Sequence, residues 1–337
     1  MNSLFANLVM EERIFRHSII KSRKSLIKRK PIILFINPGV FTTYLISNEL
    51  FSSKYDHEYW NLDEEDLDIL IFKLKGNKYF RIILDEFHAS SVNSKFLEKL
   101  TVIQLRDNKI KGIDLLYDSV LKKIPIINSK NNWITFNNVV SIPVNKQHEQ
   151  TKRITDFILA LAAIFPSLVF IAIGIILIKL SSKGPVLFRQ ERIGKNGKPF
   201  TIYKLRTMVH AREKHAAHTV ENDSRVFPIG KFLRKTKIDE LPQLFNILCG
   251  DMSLIGPRPE RADIVDELNK ENSLYKLRHI IRPGISGWAQ VNNPTATPNQ
   301  SFEKLEYDLY YIKNATFRLD LKIIYQTILI ILKRDSL

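Results

Sequence analysis

The chain has 337 residues, with 51 Lys and Arg against 35 Asp and Glu, a formal charge of +16 and 45% hydrophobic residues. That apolar content excludes a disordered or fibrous chain, the length fits two domains, and a single cysteine, Cys249, excludes a disulfide framework or a multi-cysteine metal site. Residues 1–150 carry 22 basic and 17 acidic side chains and residues 151–337 carry 29 and 18, so the second half is expected to meet the anions, whether nucleic acid, acidic lipid or phosphorylated substrate.

Residues 1–30 form a basic N-terminal segment expected to be helical. Its basic residues follow its apolar runs, the reverse of a secretory signal, so no cleaved peptide is expected. Over residues 31–145, β-rich runs (PIILFI, LDILIF, RIILDEF and VIQLR) alternate with polar stretches and with helical candidates near residues 40–50, 94–100 and 113–122. This is the rhythm of a small parallel α/β domain. Its first turn, INPGVF, lacks the glycine spacing of a dinucleotide site. The Asp85-Glu86 pair and His88 have neither phosphate-binding glycines nor a metal-spaced partner nearby and read as a solvated strand end. Residues 128–151 read as a linker or connecting strand.

Residues 157–178 then run for 22 positions without a charge. As a helix this run reaches about 33 Å, enough to cross a hydrocarbon core of about 30 Å. Pro166 lies near its middle, with Ser167 able to bond a freed carbonyl. Basic residues stand on both sides: Lys146, Lys152 and Arg153 before, Lys179, Lys183, Arg189 and Arg192 after. Positive flanks stay cytoplasmic, so a helix that enters, bends at Phe165-Pro166-Ser167 and returns is expected rather than a straight span.

The next stretch, GPVLFRQERIGKNGKPFTIYKLRTM, reads as a hairpin about an Asn196-Gly197 turn. Lys204 and Arg206 fall on one face of its second strand, toward acidic lipid or a substrate phosphate. In FLRKTKIDELPQLFNILCGDMSLIGPRPE, Arg234, Lys235 and Lys237 precede Asp239 and Glu240, and Pro242 suits the first turn of a helix. Carboxylates at a helix N-terminus could share the place with a phosphate and a bridging Mg²⁺, or Asp239 could be an N-cap. Pro257 and Pro259 hold Arg258 in a stiff extended frame that suits a diphosphate. IRPGISGWAQVNN adds Arg282 in a second rigid turn, with Trp288 and Gln290 able to stack or bond. The final LDLKIIYQTILIILKRD reads as an amphipathic interfacial helix or a packing helix.

In this order the apolar segment with its Pro-Ser, FRQERIGKNGKPFTIYKLRTM, LRKTKIDELPQLFNIL, GDMSLIGPRP and RPGISGWAQVN resemble the bacterial sugar transferases, monotopic phosphoglycosyl transferases that begin lipid-linked glycan assembly. The resemblance covers about residues 152–332. LLYDSVLKKIPIINSKNNW is similar to the end of the Rossmann-like domain of longer members, and Asn293-Pro294 departs from the Gly-Arg common after WAQVN. The resemblance implies a Rossmann-like α/β domain over residues 31–145, regulatory or dimerising. It also implies an α-rich α+β monotopic membrane catalytic domain over residues 146–337, with a re-entrant helix hairpin at about 154–180, on the cytoplasmic face of the inner membrane.

The implied reaction passes a sugar 1-phosphate from a UDP-sugar to polyprenyl phosphate and releases UMP. Asp239 would be the nucleophile, Glu240 a ligand for Mg²⁺, Arg258 the nucleotide anchor, and Lys204, Arg234 and Arg282 further phosphate contacts. The partners are then the UDP-sugar, polyprenyl phosphate, membrane lipid and, if it forms a homodimer, a second copy of the chain, with no nucleic acid, since the basic residues cluster about carboxylates and prolines instead of alternating with aromatics. A catalytically silent scaffold of a glycan assembly complex could keep the same motifs and stands as the alternative.

Overall fold

The computed structural model describes residues 30–61, 79–84, 110–126, 146–209, 223–294 and 300–333. Nearly all of the N-terminal basic segment, the runs LDILIF and VIQLR, the helix near residues 94–100, Asp85, Glu86, His88 and most of the linker lie outside the described residues. The chain divides into two compact units, Met1–Leu115 and Leu116–Leu337.

The first unit holds four parallel strands in the order β2-β1-β3-β4. They are β1 (Ile32–Ile36), β2 (Asp56–Trp60), β3 (Arg81–Leu84) and β4 (Ile110–Gly112). Parallel strands need a crossover, and between β1 and β2 the chain makes α1 (Val40–Ile46) and α2 (Glu49–Lys54), with the Asn48 side chain accepting from the Leu50 amide. The apolar run of β1 is buried, as in a central strand covered on both faces. Strand β2, DHEYW, has no apolar run because it lies at the sheet edge and is nowhere fully buried, which is why the sequence did not announce it. After β4 come α3 (Ile113–Leu116) and a wider helical turn, Tyr117–Leu121, ended by Lys122 in the left-handed region at φ 54°.

Residues 116–126, read from the sequence as the end of the first domain, pack in the second unit. Helix α4 (Lys146–Ser181) opens the rest of that unit. It is followed by the hairpin β5 (Leu187–Ile193) and β6 (Pro199–Leu205), whose turn holds Asn196 and Gly197 at φ 57° and 75° as the sequence requires. Next are α5 (Pro228–Lys235), the tight turn Ile238–Glu240, α6 (Gln243–Cys249) and β7 (Ser253–Ile255). Then come α7 (Ala262–Glu271), β8 (Gly284–Ser286), which pairs with β7, α8 (Trp288–Asn292), α9 (Ser301–Asn314) and α10 (Phe317–Lys333).

Helix α4 is apolar and long enough to cross a membrane, which marks the chain as membrane-associated. One stripe of it packs inward. Ala160 and Ile164 meet Leu244, Ile247 and Met252, and Ile178 meets Leu205, Phe227 and Leu233. Gly174 lies so close to β6 that a Cβ there would stand 2.7 Å from the Leu205 side chain, so a larger residue would have to displace that side chain. The outward stripe is bare, with Phe165 66%, Val169 61%, Ile176 58% and Leu180 80% exposed.

Both ends of α4 are fastened to the same body. Arg153 donates to the Ile247 and Leu248 carbonyls at the end of α6, and Arg206 donates to the Ser182 and Lys183 carbonyls where α4 finishes. The expected re-entrant hairpin is not shown: the chain stays helical through Pro166. Pro166 is on the exposed stripe while Ser167 is buried, and the hydrogen bond lost at the proline does not by itself end the helix.

Candidate active site

Asp239 and Glu240 sit in the turn between α5 and α6. Lys237, left-handed at φ 60°, reverses the chain so that both carboxylates face inward, 7% and 8% exposed. Neither the turn nor α6 has a side-chain cap, so Asp239 is not serving as an N-cap. Its Oδ1 is buried and accepts no hydrogen bond. Glu240 is bound on several sides: Oε1 accepts from Lys204 Nζ and Arg258 Nη2, each at 2.9 Å, and Oε2 lies 4.0 Å from Lys237 Nζ.

These surroundings push the neighbouring carboxyls apart. Burial, then the Glu240 charge, raise Asp239 to about 6 despite the pull of Lys204, Lys237 and Arg234. Burial also works on Glu240, but Arg258, Lys204 and Lys237 outweigh it and hold that carboxyl well below its usual range. Lys204 itself is lowered by burial, which Glu240 offsets only in part. One carboxylate is thus fixed as a counter-ion, and the other is a poorly solvated, unpaired acceptor that is ionised at neutral pH.

Arg258 is aimed by the backbone on which it rides. Pro257 and Pro259 are buried beside it. The Pro257 carbonyl accepts from the Gly284 amide at 2.9 Å, the Arg258 carbonyl from Arg278 at 2.9 Å and the Pro259 carbonyl from Arg192 at 3.2 Å. Gly284 cannot carry a side chain, since a Cβ there would lie 2.1 Å from the Gly256 nitrogen. Arg278, 4% exposed, is paired with the fully enclosed Asp308 at 2.8 Å. No sequence pattern singled out that buried pair, because either member alone reads as ordinary surface charge.

Beside Glu240 opens a cavity of about 460 Å³. Its charged lining includes Lys237, Arg258, Glu260, Arg278 and Lys304; its apolar lining includes Leu241, Leu244, Ile285, Val291, Pro294, Ile330 and Ile331. Gln290 also lines it, donating Nε2 to the Ile285 carbonyl while its buried Oε1 has no partner. Asn293 and Pro294 form part of the same wall. Arg234 donates to Thr207 Oγ1 at 2.8 Å and acts on Asp239 through its charge.

Three residues read from the sequence as able to meet substrate are committed elsewhere. Arg206, 4% exposed, spends its guanidinium on the end of α4. Arg282 donates to the Gly250 carbonyl and to Glu149 near the start of α4, and does not line the cavity. Trp288 is buried, stacked on Tyr310, and donates Nε1–H to the Lys122 carbonyl at 3.0 Å, so it has no face for a base. A rigid turn announces that an arginine is held, but not which carbonyl holds it.

Among the described residues no group of three or more His, Cys, Asp or Glu could hold a metal alone. What the turn offers a cation is the unpaired Asp239 Oδ1 and Glu240 Oε2, the latter 4.0 Å from Lys237 Nζ. That donor set fits Mg²⁺ brought by substrate phosphates, since Mg²⁺ is commonly held by one or two carboxylates plus phosphate and water oxygens.

Residues 147–334 match the family of bacterial sugar transferases. Over 159 residues the chain is 52% identical to a UDP-N-acetylgalactosamine-undecaprenyl-phosphate N-acetylgalactosaminephosphotransferase of Aeromonas hydrophila, covering 47% of this chain and 38% of that one. Over 311 residues it is 36% identical to a UDP-glucose:undecaprenyl-phosphate glucose-1-phosphate transferase of Klebsiella pneumoniae, covering 89% and 63%. It is 41% identical over 199 residues to an exopolysaccharide production protein of Rhizobium leguminosarum bv. phaseoli, covering 55% and 96%. The chain therefore spans less than two thirds of the first two relatives.

Proposed function

The chain belongs to the bacterial sugar transferase family, and from that premise we propose that it transfers a sugar 1-phosphate from a UDP-sugar to undecaprenyl phosphate, releasing UMP, with Asp239 as covalent nucleophile. The observation that carries this reading is the contrast within one turn: a buried Asp239 oxygen without a partner beside a Glu240 held by Lys204 and Arg258 at 2.9 Å. An acceptor stripped of water and hydrogen bonds is a stronger nucleophile than a solvated one.

In the first step an Asp239 oxygen bonds to the sugar-side phosphorus while the bond from that phosphorus to UMP breaks, and UMP leaves with the electron pair. In the second a phosphate oxygen of the polyprenyl acceptor attacks the same phosphorus, the bond to Asp239 breaks, and the carboxylate returns. Arg258 and Lys204, kept in place by Glu240, balance phosphate charge as it shifts. Glu240, with Asp239 nearby, would hold Mg²⁺, which supplies charge neutralisation on the diphosphate and leaving group. Gln290 lines the wall around the nucleotide, Pro257 and Pro259 stiffen the backbone that carries Arg258, and Arg234 adds long-range positive charge.

The anchor belongs to the same reading. One body fastens both ends of α4, which supports an anchor that keeps both flanks on the cytoplasmic face; entering the leaflet and returning would require the helix, continuous here, to open near Phe165-Pro166-Ser167 on the membrane. Helix α10 joins it at the interface, since Phe317, Leu321, Tyr325, Ile328 and Leu332 form an exposed apolar stripe while Ile323 on the other face is fully buried. The N-terminal α/β unit is a regulatory or dimerising module. The pathway is exopolysaccharide or a related surface glycan, and the two sugars named for the relatives make UDP-N-acetylgalactosamine and UDP-glucose the first donors to assay.

UMP release from a UDP-sugar in the presence of undecaprenyl phosphate and Mg²⁺ tests the proposal. Turnover that requires both substrates and stops on chelation supports it; binding of both without release favours the silent scaffold.

A further inference from the structure

Helix α9 turns one face to the hydrophobic core, where Leu305, Leu309 and Ile312 pack with Tyr275 and Val265. Another face carries Lys304 and, one turn on, Asp308. Lys304 lines the cavity, yet among the described residues it makes no ion pair or hydrogen bond. The acids around it are engaged. Asp308 holds Arg278 at 2.8 Å, Glu260 faces Arg192 at 3.5 Å, Glu303 holds Lys123 at 2.6 Å, and Glu306 accepts from the Ile126 amide at 3.0 Å. The other cations of the cavity have carboxylates: Lys237 and Arg258 share Glu240, and Arg278 has Asp308.

A half-buried ammonium with no counter-ion pays for its lost hydration unless an anion arrives. Burial and the neighbouring Arg278 and Arg258 do lower Lys304, with Glu260 working the other way. Resting on the phosphoryl-transfer reading above, we infer that Lys304 is a substrate-phosphate ligand, the cation that completes the cavity's anion site when donor or acceptor binds. Lining the same cavity as Asn293 and Pro294, it gives that cavity a cation carried by α9.

The test uses the full chain in lipid nanodiscs, comparing wild type with Lys304→Met and Lys304→Arg. UMP and uridine affinities are measured by calorimetry, and KM for undecaprenyl phosphate by UMP release. Met removes an unpaired charge and keeps the stem, so its melting temperature should match or exceed wild type. If the contact is to the donor, Lys304→Met weakens UMP about tenfold or more, leaves uridine unchanged, and Lys304→Arg restores UMP binding. If it is to the acceptor, UMP affinity holds and KM for undecaprenyl phosphate rises by a similar factor. Either result supports the inference; unchanged UMP affinity together with unchanged acceptor KM overturns it while wild-type turnover leaves the reaction standing. A wild type that neither binds UMP nor releases it removes the reaction and the inference together.

Discussion

At the scale of single residues, the proposed site gives two adjacent carboxylates opposite surroundings. Asp239 should be protonated below pH about 6 and ionised above it, so kcat/KM should fall along a limb near pH 6 as the proposed nucleophile is protonated, and a rate independent of pH between 5 and 8 would contradict the assignment. Stability carries the same signature with a definite sign. A folded pKa raised from 3.8 to about 6 means a contribution fully present below pH 3.8 and lost as pH rises through 6. Asp239→Asn should therefore be more stable than wild type at pH 8, by on the order of 2–3 kcal/mol, with the gain vanishing near pH 4 in thermal melts. The Arg278–Asp308 pair makes a different prediction: Asp308→Ala strands a buried guanidinium, should cost about 3–5 kcal/mol, and should raise KM for the donor because Arg278 supports the Arg258 carbonyl. Asp239, Glu240 and Arg258 were legible because their neighbours in sequence, lysines and prolines, already define their surroundings. Arg278 and Lys304 were not, because their meaning depends on partners supplied by distant elements.

At the scale of elements, legibility follows how much of an element's environment its own sequence encodes. The Asn196-Gly197 hairpin and the apolar helix were readable because turn chemistry and hydrophobicity are local. The edge strand β2 was not, and neither was the use of Arg206 and Arg282 as fasteners, since a helix-end carbonyl leaves no mark in sequence. The fasteners bear on topology. With Cys249 replaced, single cysteines introduced at Gln150 and Lys183, both exposed flanks of α4, should resist a membrane-impermeant maleimide in intact cells and react after permeabilisation. Labelling of one flank from outside would mean that α4 spans the bilayer and that the packing of both its ends on one body is not the membrane-bound arrangement.

At the scale of the whole molecule, most of the positive charge, 29 basic against 18 acidic side chains over residues 151–337, falls in the unit proposed to be catalytic, whose apolar surfaces on α4 and α10 would bring it against lipid. That unit begins earlier than the linker in the sequence implied. Ile124 lies in the core with Leu305 and Leu309, and the Lys122 carbonyl satisfies the Trp288 indole. A chain starting at residue 116 should retain its melting temperature and UMP release. One starting at residue 146 loses a buried isoleucine and strands an N–H, together about 3–5 kcal/mol, and should melt lower and lose activity; equal behaviour of the two would show that residues 116–126 are dispensable. The central claim, covalent transfer through Asp239, is tested most directly by intact-protein mass spectrometry after incubation with Mg²⁺ and a UDP-sugar, without acceptor. Wild type should gain the mass of one sugar phosphate and release one equivalent of UMP, both absent in Asp239→Asn. UMP release unchanged in Asp239→Asn would contradict the account.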